Sequence, residues 1–318
     1  MNVVVTGGAG FIGSHLVDAL VARGDRVRVL DDLSNGQVEN VNDAAELVEG
    51  NVADTEVVAS VIADAEIVFH QAALGSVRRS IESPLPTDQA NIHGTLTVLQ
   101  SAREAGVQRV IAASSSSVYG GASPLPSRED HPVAPRSPYA VSKVTAEMYC
   151  RVFWDLLGLE TVCLRYFNVY GPRQRFDSPY AAVVPLFTDA LRREERPIVF
   201  GDGKQKRDFT YVDDTVRANL LAAAAPAEQC AGRVYNVGGG QPHSVLDLLA
   251  TLAGLLDVDP DPVYADPRPG DVRDSQADLT AVGADLGYAP TVSFEDGLRR
   301  VVEAGNSPDQ VAGGRNTT

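Results

Sequence analysis

Thr6-Gly7-Gly8-Ala9-Gly10-Phe11-Ile12-Gly13 is the stretch that decides the fold. It follows the β-branched run Val3-Val4-Val5 and opens a helical pattern over 11–22, where Leu16, Ala19 and Leu20 recur at helical spacing. Strand, glycine turn and helix in that order make a loop that can cradle phosphate. Gly7 permits the tight turn, and Gly10 lets the backbone approach a pyrophosphate. Gly13 lets helix and strand pack closely, and the helix N-terminus faces the anion. A glycine pattern alone is weak, and its context gives it weight. The second strand, 27–30, ends at Asp31, and no arginine follows at once. A carboxylate there binds a ribose 2′-hydroxyl and repels a 2′-phosphate, so NAD is expected rather than NADP.

Working outward, strand-like runs at 66–69, 109–112 and 160–164 alternate with helical stretches. One helix is expected over 91–105, ended by Gly106. Another is expected over 138–157, opened by Pro138 and stopped by Gly158. The alternation predicts an α/β fold: a Rossmann-like, doubly wound parallel sheet over residues 1–170. After Gly171 the pattern loosens, and prolines and glycines become frequent. A smaller mixed α/β substrate-binding domain is expected over 171–306, with segments crossing back to the sheet. Residues 307–318 are small and polar and read as a disordered tail.

Composition narrows the function. The 318 residues carry a net charge of −15 and are 44% hydrophobic. That acidity argues against a broad nucleic-acid-binding face and against docking on anionic lipid. The first apolar run, Val3-Val4-Val5, is too short for a signal peptide and there is no apolar run of ~20 residues, so neither a leader nor a membrane span is expected. The three cysteines, Cys150, Cys163 and Cys230, form no CxxC pair. They make neither a disulfide framework nor a zinc site, so no metal and a cytoplasmic location are expected. Lysine occurs only at 143, 204 and 206. Arginine-favouring codons account for part of this, and a salt-adapted acidic surface would account for more.

Lys143 stands four residues after Tyr139, so both leave one face of the helix opened by Pro138. A tyrosine acting as a base near neutrality must be acidified by about three units, or ~4 kcal/mol. A buried ammonium beside it can do that, which a bulky, bidentate guanidinium would do less compactly. Upstream, Ala113-Ser114-Ser115-Ser116-Ser117-Val118-Tyr119-Gly120 follows the strand at 109–112, at the strand end where active residues gather.

With these residues in place, the chain resembles the extended short-chain dehydrogenase/reductases, and among them the nucleotide-sugar epimerases. TGGAGFIG, SSSSVYG, SPYAVSK, RYFNVYGPRQ, GDGKQKRDFTYV and RPGDVRDSQAD stand in the expected order up to about residue 304. The resemblance implies catalysis by Ser115, Tyr139 and Lys143: C4 of a UDP-sugar is oxidised and then reduced on its other face, with NAD regenerated. It assigns cofactor contacts to Gly7, Gly10, Phe11, Ile12, Gly13, Asp31, Asn35, Asn51, Val52, Ala72, Ala73, Asn91 and Ser114, besides Tyr139 and Lys143. It assigns substrate contacts to Ser76, Ser115, Ser116, Asn168, Arg207, Arg268, Asp271 and Ser275. A homodimer is implied too, through the helices at 91–105 and 138–157.

Related dehydratases carry an Asp-Glu pair directly after the catalytic serine or threonine, and decarboxylases usually keep a glutamate at the second position. Here both positions are serine, Ser116 and Ser117. A carboxylate is hard to replace as a general acid or base, so an epimerase is favoured. A UDP-glucuronate 4-epimerase has similar motifs, and a regulator that senses NAD without catalysis is the non-enzymatic alternative. Ser275 stands where epimerases restricted to glucose and galactose carry a bulky tyrosine, which leaves room for an acetamido group. The loop 73–80 resembles that of UDP-N-acetylglucosamine 4-epimerases, with Arg78 where a proline is usual. His70 reads as a packed strand-end histidine.

Overall fold

The computed structural model describes residues 1–178, 180–267 and 272–305. Seven strands make one all-parallel sheet: β1 (Asn2–Thr6), β2 (Arg26–Asp31), β3 (Glu46–Glu49), β4 (Ile67–His70), β5 (Arg109–Ser115), β6 (Glu160–Tyr166) and β11 (Arg233–Val237). Their order is β11-β6-β5-β4-β1-β2-β3. The order reverses between β1 and β4, which opens a crevice at their carboxyl ends.

Alternation along each strand builds two cores. Val3 and Val5 of β1 point one way, with Ile67 and Phe69 of β4, against α1 (Phe11–Ala22), α8 (Val212–Ala224) and α11 (Thr280–Leu286). Val4 and Val68 point the other way, against α2 (Thr55–Ile62), α5 (Gly94–Glu104) and α6 (Pro138–Leu157). Both faces are therefore covered, as a parallel sheet requires. A third core gathers α7 (Val183–Arg192), α10 (Val245–Leu256) and α12 (Phe294–Ala304) around Phe187, Leu248 and Leu298. The short strand pairs β7 (Val169–Tyr170) with β10 (Thr210–Tyr211), β8 (Ile198–Phe200) with β13 (Val263–Ala265), and β9 (Lys206–Asp208) with β12 (Pro242–Ser244) complete this side. β11 comes from beyond residue 171 yet pairs with β6, from Arg233 opposite Val162 to Val237 opposite Tyr166.

Helix α6 spans the expected residues. Its N-cap Ser137 accepts from Ala140 N, Pro138 occupies the first turn, and Gly158 ends it at φ 71°. The helix expected over 91–105 differs. Residues Gln89–His93 form a π turn, and α5 begins at Gly94. Such wide turns often mark functional sites. β3 and the short helices α3 (Val77–Glu82), α4 (Pro84–Asp88) and α9 (Ala227–Cys230) carry too little apolar periodicity to be read from sequence, while α2 buries Val58, Val61 and Ile62 at helical spacing behind its Asp54 N-cap. The tail at 306–318 lies outside the described residues. Among the described residues, no helix is long and apolar enough to cross a membrane, and no group of His, Cys, Asp or Glu could hold a metal ion.

Candidate active site

The glycine loop leaves β1 at Gly7, whose φ is 71°. A Cβ there would come within 2.6 Å of Ala72 N, and one at Gly13 within 2.1 Å of Gly7 O. Both contacts exclude a side chain. At Gly10 a Cβ would meet only Gly7 O, at 3.2 Å, so that flank is open to a ligand. Gly10 caps the N-terminus of α1. Asp31 is buried, with Oδ2 accepting from Ala9 N at 2.9 Å and Oδ1 from Leu33 N at 2.9 Å. Burial raises its pKa, and the two N–H groups oppose that. An open glycine flank at a helix N-terminus, with a carboxylate fixed beside it, fits a dinucleotide's pyrophosphate and ribose.

These groups line one cleft of about 1140 Å³. Ligand pockets are usually about 300–1,000 Å³, so there is room for more than one small ligand. Phe11, Ile12, Asn35, Asn51, Val52, Ala72 and Ala73 also line it. Asn35 Oδ1 accepts from Arg79 Nη1 at 3.3 Å. Asn51 donates to Asp32 Oδ2 at 3.1 Å and accepts from Ala53 N at 2.8 Å, which fixes the rim. A second cavity, of about 70 Å³ beneath Gly171, Val184 and Val301, is lined by none of the expected groups.

Ser115, Tyr139 and Lys143 all face the large cleft. Ser115 Oγ accepts from Ser117 N at 3.2 Å, capping the turn that follows β5. Lys143 is buried and donates from Nζ to Ala113 O at 2.8 Å. Its Nζ lies 5.9 Å from the Tyr139 ring centroid. Burial lowers the Lys143 pKa to about 8. Burial also raises that of Tyr139, against a hydrogen bond with Ser115. In the chain without cofactor, burial sets the direction of the Tyr139 shift. The Lys143 ammonium meets Ala113 O with one of its three donors and keeps the others for a ligand.

Two of the expected cofactor contacts have partners inside the chain. Asn91 does not line the cleft. It is buried, holds Leu74 N and O at 2.8 and 3.3 Å, and donates to Ser142 Oγ at 3.0 Å. It thus ties the 73–76 loop to α6. Ser114 lines the cleft, and its hydroxyl donates to Glu147 Oε1, which leaves its oxygen lone pairs and its main chain to offer. His70 is the packed histidine expected, bracketed by Thr6 Oγ1 at 2.8 Å and Thr95 Oγ1 at 2.9 Å. Burial holds its pKa down near 3, with Lys143 adding to the effect.

The facing wall carries Asn168, Arg207 and Ser275, with Ser76 and Ser116 nearby. Asn168 Nδ2 donates to Asp208 O at 3.1 Å and to Ser275 Oγ at 3.3 Å. Ser76 caps α3, accepting from Arg79 N at 3.2 Å. Arg207 Nη1 donates to Lys206 O and Arg273 O. Arg268 and Asp271 lie outside the described residues. Sequence reasoning missed Gln174, which lines the cleft and buries Oε1 with no partner. It ends the motif RYFNVYGPRQ, and its Nε2 donates to Val169 O at 3.2 Å, so only the amide oxygen lacks a partner among the described residues. Ser117 Oγ is likewise buried, unpartnered and on the cleft.

The model of the NAD dependent epimerase/dehydratase family matches residues 3–238. The chain is 40% identical over 313 residues to the UDP-glucose 4-epimerase of Mycolicibacterium smegmatis, covering 95% of this chain and 98% of that protein. The structure of Thermotoga maritima UDP-glucose 4-epimerase with UDP-glucose matches at TM-score 0.92 and 42% identity, covering 96% and 98% of the two chains. A UDP-N-acetylglucosamine 4-epimerase from Methanobrevibacter ruminantium M1, in complex with UDP-N-acetylmuramic acid, matches at TM-score 0.90 and 40% identity, covering 95% and 97%. The family match takes in both the glycine loop and the Tyr139 helix, and this chain belongs to the NAD-dependent epimerase/dehydratase family.

Proposed function

We propose that this protein is an NAD-dependent UDP-hexose 4-epimerase, acting on UDP-glucose and UDP-galactose and on their N-acetylated forms. One observation carries the reading. Ser115, Tyr139 and Lys143 share a single cleft with the glycine loop and with the wall of Asn168, Arg207 and Ser275. Serines stand at 116 and 117, where an eliminating enzyme of the family would carry carboxylates.

When bound, NAD supplies a reversible hydride acceptor and, in its oxidised form, a positive charge. Tyr139 takes the proton from the sugar 4-hydroxyl and returns it, and Ser115 orients that hydroxyl. Lys143 holds a ribose hydroxyl and keeps a cation under the site. Arg207, with Arg268, grips the diphosphate, and Asp271 meets the nucleotide ribose. Asn168 meets the diphosphate or the sugar, and Ser275 faces the sugar.

The test is product analysis on a panel of UDP-sugars. Interconversion of C4 epimers without NADH build-up is expected. A product lighter by water or CO₂ would sink the epimerase reading. In the same assay, Ser275→Tyr should suppress N-acetylated sugars by about tenfold or more relative to the plain hexoses, since a bulky ring would fill the acetamido space. An unaltered ratio would remove Ser275 as the gatekeeper.

We also infer a cytoplasmic homodimer built on α6. The three cysteines are unpaired, which suits a reducing compartment. Val141, Met148, Val152 and Leu156 stand exposed on α6, at spacings that form one stripe. Ile81 of α3 and Leu85 of α4, both packed beside α6, extend it. The 91–105 segment contributes no exposed large apolar side chain, so α3 and α4 replace it in this proposal. Light scattering should report two chains per particle, and Met148→Asp with Leu156→Asp should give one. A monomeric wild type would refute the dimer.

A further inference from the structure

Asp208 is a carboxylate with no exposed surface, on a strand whose preceding residue faces the cleft. Alternation along β9 turns Arg207 toward the cleft and Asp208 inward. Three peptide N–H groups from two distant segments converge on the carboxylate. Oδ1 accepts from Gly239 N at 2.7 Å and Gly240 N at 3.0 Å, and Oδ2 from Ala277 N at 2.9 Å. The main-chain oxygen of Asp208 accepts from Asn168 Nδ2. Ala277 lies two residues beyond Ser275, and Ser275 N donates to Lys206 O at 3.1 Å.

The run Gly238-Gly239-Gly240 is shaped around this carboxylate. A Cβ at Gly238 would stand 2.6 Å from Ala277 Cβ and 2.9 Å from Asp208 Oδ2. One at Gly239 would stand 2.4 Å from Phe209 O. The backbone could not close on Asp208 if it carried side chains there. Burial raises the carboxyl to about 6 in spite of the three N–H groups, so an ion is kept here at an energetic cost. An apolar residue would be cheaper and could not gather three separate N–H groups.

We propose that Asp208 is a positioning residue that locks Arg207, Asn168 and Ser275 into one rigid substrate-facing wall, so that affinity for the nucleotide-diphosphate end of the substrate depends on it. This rests on the epimerase reading for the identity of the substrate, but not for the existence of the wall. Three groups from segments far apart in sequence meet the ligand in one geometry because one residue holds all three segments, two by its carboxylate and main chain and one by adjacency. Preorganisation of this kind acts on binding, whereas the proton at O4 is handled on the opposite side of the cleft.

The experiment is Asp208→Asn, with UDP binding read by calorimetry beside kcat, KM and the NAD content of the purified protein. Asparagine keeps the size but sets an amide NH₂ against peptide donors. UDP affinity is expected to fall by about tenfold or more, and KM to rise by a similar factor. Bound NAD and kcat should stay within about twofold. Unchanged UDP affinity, or NAD content and kcat falling in step with it, would overturn the proposal, the second by marking Asp208 as a general structural residue. If the variant does not fold, amide exchange on the wild type decides. UDP should slow exchange at Gly239, Gly240 and Ala277 together, and exchange unmoved by UDP would equally overturn the idea. A wild type that binds UDP but epimerises nothing would refute the epimerase reading and leave the calorimetric result on Asp208 standing.

Discussion

Tyr139→Phe should lower kcat by about a hundred- to ten-thousandfold while leaving bound NAD and thermal stability close to wild type. General acid–base catalysis by a placed side chain contributes that range, and here the lost group is a single hydroxyl at the Ser115 end of the site. The ring itself, beside the Lys143 side chain, remains. Phenylalanine keeps the packing, so a fall in activity without a fall in cofactor content isolates the proton-transfer role. Turnover within a few-fold of wild type would remove Tyr139 as the base. The finding that burial raises this tyrosine's pKa sharpens the expectation. Lys143, held down near 8 by burial, is still mostly a cation at neutral pH, and the tyrosine's own burial outweighs it in the cofactor-free chain. A spectroscopic titration of the tyrosine in cofactor-stripped protein should therefore show no ionisation below the ordinary range near 10.

The second large effect is expected in the core directly behind Ser114. Glu147, one helical turn beyond Lys143, meets Arg165 of β6 in a buried bidentate pair: Nε to Oε1 at 2.9 Å and Nη2 to Oε2 at 2.8 Å. The same guanidinium donates to Tyr119 Oη at 2.8 Å and lies over that ring. Glu147→Ala strands a buried cation and frees the Ser114 hydroxyl. The expected cost is about 3–5 kcal/mol, or roughly 4–8 °C in Tm for a chain of this length. Replacing both partners with methionine should be milder than the single change, because no charge is then left unpaired. Thermal unfolding at a fixed excess of NAD measures this. A single variant within about 1 kcal/mol of wild type would show that the pair is not the anchor between α6 and β6 described above.

Much of this molecule is legible in its sequence because its strongest signals are local. The β-branched strands, the glycine loop and the proline-to-glycine bounds of α6 each depend on a few adjacent residues. Tyr139 and Lys143 are legible for the same reason, since a four-residue spacing on a helix puts both on one face. β3 was not, because Glu46-Leu47-Val48-Glu49 is a half-exposed edge strand with little alternation to detect. The setting of Asn91 is not legible because its partners within the chain, Leu74 and Ser142, come together only in three dimensions. How Lys143 sits against Tyr139 is not legible, for a metric reason. Spacing puts both on one face, but only coordinates give the 5.9 Å from Nζ to the ring centroid and the carbonyl at Ala113 that the ammonium meets. Gln174 and Asp208 went unseen because a buried amide and a buried carboxylate look like any others until their neighbours are counted.

The pairing of β11 with β6 bears on how this chain can be made and altered. The sheet that presents the cofactor loop gains its final strand only after the segments that face the sugar have been threaded. A nascent chain stopped near residue 170 would leave the β6 edge bare, a ready template for association with other chains. The two halves are thus not interchangeable cartridges. A graft that exchanged the sugar-facing half for a relative's would have to bring that relative's version of 233–237 with it, or leave an unsealed sheet.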